Sequence, residues 1–166
     1  MLRFLFAGLL LLMLTACTAD SALDLDLLET NARGGDPQAM AQLIGLLAAQ
    51  EEGVSERAYA ITVEIGQRAV PALIEQIQSE DKQMREYVIA ALGTLKVIDA
   101  VPAISNVLVQ TTLQRRYVAA WALGEIGGAT VVPALISALD DENSEVRRYA
   151  TRALIKLNKI AVMPLI

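Results

Sequence analysis

Prolines recur along the chain at a constant spacing, and this repeat constrains the fold more than any other feature. Successive members of the series are 31 residues apart: Pro71, Pro102, Pro133 and Pro164. Arginines and leucines keep the same spacing over three units: Arg85, Arg116 and Arg147, then Leu92, Leu123 and Leu154. A fixed period of this length indicates a solenoid, in which each unit buries its apolar face by stacking on its neighbours.

Each unit is predicted to contain two helices. The first begins at the proline, which is tolerated at the start of a helix because the N–H that it lacks would have no partner there. Apolar residues then return at three- and four-residue steps, which predicts one buried stripe per helix: Leu73 and Ile77, Ile104 and Leu108, Leu135 and Leu139. Ten residues after each proline comes a short oxygen-bearing side chain that can cap the second helix: Asp81, Thr112 and Asn143.

The second helices are predicted to bury a stripe that is rich in alanine. Small side chains at these positions let neighbouring helices approach closely, and Gly127-Gly128 is expected to end the second helix of the central unit. The predicted inward residues are Met84, Val88, Ala91, Leu92 and Leu95, then Ala119, Ala122, Leu123 and Ile126, then Val146, Ala150, Ala153, Leu154 and Leu157.

The repeated pattern PALIxxLxDxxxxVRRxAxxALGxIG resembles the HEAT repeat, in the short variety named after phycobilisome lyases. The resemblance implies an all-α fold, a right-handed α-α superhelix of stacked antiparallel helix pairs. On this basis residues 67–166 are HEAT-like repeats, with units that start near Pro71, Pro102 and Pro133 and an incomplete unit at Pro164. Residues 24–66 are a degenerate N-terminal repeat or cap. The family ranges from scaffolds to a few chromophore lyases, so the motif indicates fold more than function.

The first residues have the features of an exported lipoprotein. Arg3 precedes an apolar run that is too short to span a bilayer, which needs about 20 residues. The following Leu14-Thr15-Ala16-Cys17 resembles a bacterial lipobox. The resemblance implies that residues 1–16 are removed, that Cys17 is acylated, and that residues 17–23 form a short tether. The protein would then be anchored in the cell envelope, at the outer membrane facing the periplasm.

Composition argues against several kinds of chemistry. The chain has no histidine and one cysteine, which the lipid would occupy, so neither histidine-based catalysis nor a thiol nucleophile is expected. We therefore expect no enzymatic activity, no metal site and no cofactor. A formal net charge of −5 opposes binding to nucleic acid.

Two sets of side chains are candidates for a role beyond the core. In HEAT repeats the arginine that matches Arg85, Arg116 and Arg147 bonds to acids or carbonyls of adjacent repeats, which implies a structural ladder. The outward rows of the second helices, spaced i, i+4, i+8, line the concave face in that family. They include the only tryptophan, beside a tyrosine and a basic column, and tryptophan, tyrosine and arginine are enriched in interface hot spots. The predicted partner-binding residues are Tyr117, Trp121, Glu125, Arg148, Arg152 and Lys156.

The sequence thus predicts a lipid-anchored scaffold or assembly accessory that binds an unidentified protein through this concave face. One alternative is that Trp121 only packs on the stems of neighbouring arginines. A second is a chromophore lyase-like or other small-molecule enzyme, suggested by the name of the repeat. A third is a self-associating structural lipoprotein that covers its apolar C-terminal end, Val162–Ile166, with another copy.

Overall fold

The computed structural model describes residues 25–110 and 115–162, with side chains as far as residue 158. Cys17, Thr112 and the chain end from Met163 lie outside the described residues. The described ranges contain nine α-helices and no strand, and none of these helices is both long and apolar enough to cross a bilayer. The predicted all-α solenoid is confirmed. The helices are α1 Leu25–Gly34, α2 Pro37–Gly45, α3 Val54–Ile65, α4 Val70–Gln76, α5 Lys82–Thr94, α6 Val101–Val109, α7 Tyr117–Ile126, α8 Val132–Ser137 and α9 Ser144–Val162.

The helix starts follow the predicted capping chemistry with one shift. Asp81 accepts a hydrogen bond from the backbone N–H of Met84 at 2.8 Å, and Asn143 accepts one from that of Glu145 at 2.9 Å. The repeated prolines stand second in their helices rather than first. The shift arises because a 3₁₀ turn leads into α4, α6 and α8, so the valine before each proline already has helical dihedral angles.

The units stack through their second helices. Helix α7 packs against α5 on one side and α9 on the other, while α4, α6 and α8 each pack against the second helix of their own unit. The predicted stripes lie in one aliphatic core, and no aromatic side chain of the described residues is fully buried in it. Leu139 is an exception, since it is 37% exposed and Ala138 is buried instead. The end of this helix tightens into a 3₁₀ turn, which moves the buried position from i+4 to i+3.

Two glycines set the distance between second helices. A Cβ atom on Gly93 would lie 2.8 Å from the Cα of Ala122, and one on Gly124 would lie 2.6 Å from the Cβ of Ala153. Real side chains do not approach so closely, so the helices meet almost backbone to backbone at these points. The repeated Ala-Leu-Gly sequence therefore permits close helix packing, because the glycine of one unit contacts the alanine of the next.

Candidate functional site

The second helices form a surface that carries a groove of about 480 Å³. Rings from α3, α5, α7 and α9 line it, together with charged side chains such as Glu56, Glu86 and Lys82. A smaller volume of about 250 Å³ shares Trp121 and Tyr149 with the first and extends toward Glu125 and Lys156. We refer to the two volumes together as the aromatic groove.

The groove collects five of the seven aromatic residues of the chain. The sequence has four tyrosines, one tryptophan and two phenylalanines, and both phenylalanines lie within the first six residues. Every tyrosine and the tryptophan line the groove, and each is only partly buried. Two ring pairs bridge neighbouring helices. Tyr59 and Tyr87 have centroids 5.8 Å apart, and Tyr117 and Tyr149 stack at 5.1 Å.

The carboxylates of the groove already have partners. Glu56 accepts a hydrogen bond from the Tyr87 hydroxyl at 2.9 Å, Glu86 accepts one from Arg115 at 2.6 Å, and Glu125 pairs with Lys156 at 2.6 Å. Burial raises the pKa of Tyr87, and its hydrogen bond to Glu56 raises it further. Burial and the charge of Glu86 likewise raise the pKa of Tyr117. Both phenols therefore remain protonated near neutral pH.

Several donors in the groove have no such partner. The hydroxyls of Tyr117 and Tyr149 and the indole N–H of Trp121 make no hydrogen bond with any residue that the structure describes, whereas the Tyr59 hydroxyl bonds to Thr94 at 2.9 Å. Within the same ranges, Lys82 and Arg152 form no ion pair. The guanidinium of Arg152 lies 5.8 Å from the Tyr149 ring centroid, and that of Arg148 lies at 5.2 Å. The α7–α9 end of the groove thus offers unused donors.

Arg115 adds an unusual backbone conformation at the edge of the groove. Its φ angle is 57°, in the left-handed region, where a residue with a side chain is held at a cost of about 1–3 kcal/mol. Lys96 has a similar φ of 53°, but it follows the end of α5, where that conformation closes a helix. Arg115 lies two residues before the start of α7. Its conformation accompanies the pairing of its guanidinium with Glu86, and this hydrogen bond raises the pKa of Arg115.

The structure brings most of the predicted binding residues to this groove. Tyr117 and Trp121 line its centre, and Glu125, Arg152 and Lys156 line the smaller volume. Arg148 lies over the Tyr149 ring and pairs with Glu145. Sequence reasoning missed three rings: Tyr59, Tyr87 and Tyr149. Tyr149 follows Arg148, the first residue of a predicted row, and Tyr87 holds the equivalent position on α5. Tyr59 belongs to the degenerate first unit. All three tyrosines lie on second helices, and this restriction was a signal from which the sequence could have identified them.

The repeated arginines make structural contacts of three kinds. Arg85 is buried and donates to the carbonyl of Ser79 at 2.7 Å. Arg147 is exposed and donates to the carbonyls of Asp141 and Glu142 at 2.7 and 2.8 Å. Arg116 is buried, donates to the carbonyl of Leu108 at 2.9 Å, and also binds both carboxylate oxygens of Asp141, one of them at 3.0 Å. Arg116 therefore joins its own unit to the next one.

The Asp141 carboxyl responds to two opposing influences. Burial would raise its pKa, but hydrogen bonds from Arg116 and from the backbone N–H of Asn143 outweigh that effect, so the pKa lies below its usual value. Asp141 was not among the predicted ladder residues. It occupies the inter-helix acidic run of residues 140–142. Within the described residues no group of three or more such side chains is arranged so that it could hold a metal ion.

Comparison with known proteins agrees with this architecture. Residues 112–165 match the family model described as HEAT repeats. No curated protein matches the sequence. Human deoxyhypusine hydroxylase in complex with glycerol is 26% identical, with a TM-score of 0.61 over 72% of this chain and 43% of that one. The complex of CpcE and CpcF of phycocyanin lyase from Nostoc sp. PCC7120 is 25% identical, with a TM-score of 0.60 over 86% of this chain and 62% of that one.

A third similar structure, the Kap95:Nup1 complex, is 19% identical, with a TM-score of 0.58 over 89% of this chain and 21% of that one. At this identity the likeness concerns the fold alone. The chain spans less than two thirds of each of the three matched structures. The family match over residues 112–165 and the likeness to the phycocyanin lyase complex confirm the predicted resemblance to HEAT repeats.

The comparisons also correct one prediction. The expectation that the chain has no enzymatic activity is wrong as a deduction from composition, because a hydroxylase and a lyase share this fold at about a quarter identity. The absence of histidine removes particular mechanisms, such as a histidine general base, but it does not remove catalysis as a class.

Proposed function

The chain carries HEAT repeats in an all-α solenoid, and from this premise we propose that it binds a partner protein in the aromatic groove, as a scaffold or assembly accessory. The observation that carries the proposal is the placement of all four tyrosines and the only tryptophan on one groove. The core of the described residues is aliphatic, and these rings are partly buried against its edge, where part of each ring still faces solvent.

Partly exposed rings with free donors are well suited to an interface. Aromatic rings and arginine dominate binding energy where a partner covers them, because they combine a large apolar area with a polar group. Covering the exposed parts of the Trp121 and Tyr149 rings would contribute about 25 cal/mol per Å² of apolar area removed from water. The same contact would give their unused N–H and O–H groups acceptors, so the groove is a favourable surface to cover.

We place this protein at the outer membrane, facing the periplasm, with Cys17 carrying the lipid. The support is the basic residue, short apolar run and Leu14-Thr15-Ala16-Cys17 sequence of the first segment. A tether of about seven residues would keep the first helix within roughly 25 Å of the bilayer. We expect labelled palmitate to enter the parent protein and not the Cys17→Ser variant, which should leave the membrane fraction. Equal labelling of both proteins would refute the anchor.

Site-specific photo-crosslinking in cells tests the groove. A photoreactive residue at position 121 should give a discrete adduct, and one at the exposed Gln78, outside the groove, should not. The adduct should weaken when Tyr149→Ala is added, because that change removes a neighbouring ring of the groove. Equal adducts at both positions, or an adduct that is indifferent to Tyr149, would contradict the proposal. An adduct with twice the mass of the chain would identify self-association.

A second candidate is the handling of a small molecule in the same groove. The volume of about 480 Å³ falls within the usual range for ligand pockets, and two of the similar structures are enzymes. Native mass spectrometry and visible absorption of the purified chain would test it. A stoichiometric bound compound that is lost in Trp121→Ala would favour this function over protein binding.

A further inference from the structure

We infer that a second cavity, at the end of α7, binds a long-chain fatty acid, that is, one alkyl chain with a carboxylate head. This cavity has a volume of about 710 Å³, which is within the usual range for ligand pockets. Its lining comes from the turn after α5, the turn between α7 and α8, and α9. We refer to it as the aliphatic cavity. It shares Glu125 and Lys156 with the aromatic groove, but none of the rings.

The described side chains that line the aliphatic cavity are mostly apolar, and none of them is aromatic. They include Ile126, Val132 and Leu154. Leu154 is only partly buried, whereas Leu92 and Leu123, at the same position of the repeat, are fully buried. The lining has no ring on which a planar ligand could stack, and few polar side chains that could bond to a sugar. An alkyl chain suits it, because burying such a chain needs no polar partner.

The turn after α7 leaves this volume unfilled. It contains Gly127-Gly128, where the turn after α5, one period earlier, contains Lys96-Val97. The side chain of Val97 is buried, at 6% exposure. A Cβ atom on Gly128 would have no neighbour within 4 Å, and one on Gly127 would lie 3.7 Å from the side chain of Leu157. The turn after α7 therefore lacks the apolar side chain that is buried after α5, and the space beside Leu157 is open to a ligand.

The charges around the aliphatic cavity favour an anion. Glu125 is the only carboxylate among the described residues that line it, and Lys156 neutralises Glu125 at 2.6 Å. Lys96 is exposed and forms no ion pair with any residue that the structure describes. The described lining therefore carries one uncompensated positive charge. A carboxylate can pair with Lys96 without displacing an existing contact, whereas a cationic head would find no free carboxylate.

The charge stands at one end of an elongated volume. Lys96 follows α5, whereas Leu154 and Leu157 belong to α9, and α7 packs between these two helices. Packed helices lie about 8–10 Å apart, so the lining extends over roughly 16–20 Å. A ligand with its carboxylate at Lys96 would thus direct its alkyl chain past the end of α7 toward the leucines of α9. This arrangement matches a molecule that is charged at one end and apolar along the rest of its length.

Calorimetric titration of the full chain with simple amphiphiles tests the inference, at concentrations below those at which they form micelles. We expect laurate to bind saturably, with one equivalent per chain. Decanoate is two methylenes shorter and should bind about tenfold more weakly, because each buried methylene contributes about 0.8 kcal/mol. Dodecyltrimethylammonium has the same alkyl length as laurate but a cationic head, and it should bind at least tenfold more weakly than laurate.

Matched variants separate the contribution of charge from that of volume. Lys96→Gln should weaken laurate about threefold and reduce its advantage over the cationic amphiphile, whereas Lys96→Arg should keep both. Arg68→Gln makes the same change in net charge in the turn before α4, outside the cavity, and should leave the affinity unchanged. Ala129→Met adds a larger side chain at an exposed position of the lining. It should weaken laurate at least fivefold without lowering the melting temperature.

Several outcomes would overturn the inference. Equal binding of laurate and the cationic amphiphile, binding without saturation, or an affinity that is indifferent to Ala129→Met would each do so. If the parent does not bind laurate but a variant without residues 163–166 does, the cavity is occupied by the chain's own apolar end and the inference is wrong. Crosslinking at position 121 tests the proposed function separately, because Trp121 does not line the aliphatic cavity.

Discussion

The contact of α1 with α3 and the contact of α7 with α9 are stabilised by different interactions. Helix α1 is tied to α3 by exposed ion pairs, Arg33 with Glu64 and Arg57 with Asp26. Helix α9 instead meets α7 through the Gly124–Ala153 contact and through the buried pair of Arg116 with Asp141. Exposed ion pairs contribute little to the free energy of unfolding, and salt screens them. Where helices are closely packed or joined by a buried ion pair, a change in one partner is strongly destabilising. The C-terminal junctions should therefore tolerate substitution least.

The largest effect is expected for Arg116→Met. The side chain of Arg116 is 3% exposed and that of Asp141 is 10% exposed, so the substitution leaves a nearly buried carboxylate without its cation. We expect the free energy of unfolding, measured in urea, to fall by about 3–5 kcal/mol. Arg147→Met is the matched control at the same repeat position, where the arginine is exposed. A similar loss in both variants would mean that burial of the Arg116–Asp141 pair is not the cause of the lost stability.

A smaller loss is expected for Gly124→Ala. Its Cβ would lie 2.6 Å from the Cβ and 3.1 Å from the Cα of Ala153, so α7 and α9 must separate. Overpacking of this kind costs about 1–3 kcal/mol, which exceeds the gain in helix propensity. The control is Gly45→Ala, where nothing lies within 4 Å and the φ angle is helical; it should leave stability unchanged or raise it by up to about 1 kcal/mol. A neutral Gly124→Ala would refute the close contact.

The pH dependence of stability should reveal the buried pair. The pKa of Asp141 in the folded protein lies below the ordinary value of 3.8, so the unfolded chain takes up the proton first as the pH falls. This contribution is complete above the ordinary pKa and is lost as the pH falls through the folded one. The stability difference between the parent and Asp141→Asn should therefore be largest near neutral pH and shrink in acid. A constant difference down to pH values well below 3.8 would contradict the shift.

The smallest effect is expected at the N-terminal junction. The side chain of Arg57 is 49% exposed and that of Asp26 is 82% exposed, so water and salt screen their interaction. Arg57→Gln should leave the urea midpoint of the full chain within experimental error at physiological salt. Hydrogen exchange should show α1 opening slightly more often at low salt. A loss comparable to that of Arg116→Met would mean that the two ends of the solenoid are not held differently.

Much of the fold was predictable because it repeats. The prolines, the N-cap residues and the alternation of leucine and alanine are local signals. Because the period is constant, each signal recurs in successive units. Leu139 shows the limit of this reasoning, since a 3₁₀ turn at the helix end moved the buried position by one residue. The candidate site was predicted in part. Trp121 and Tyr117 followed from the helical period, whereas Tyr59 required knowledge of how the degenerate first unit stacks.

The sequence by itself determined the repeat, the helix pairs and the residues that face the core, because these depend on spacings within about one period. Only the tertiary structure decided which residues of different units meet. It placed Arg116 against Asp141, Gly124 against Ala153, and rings from four helices along one groove. Such contacts depend on the distance and rotation between stacked helices. The packing of the folded helices sets this distance and rotation, and neither can be read from the order of residues along the chain.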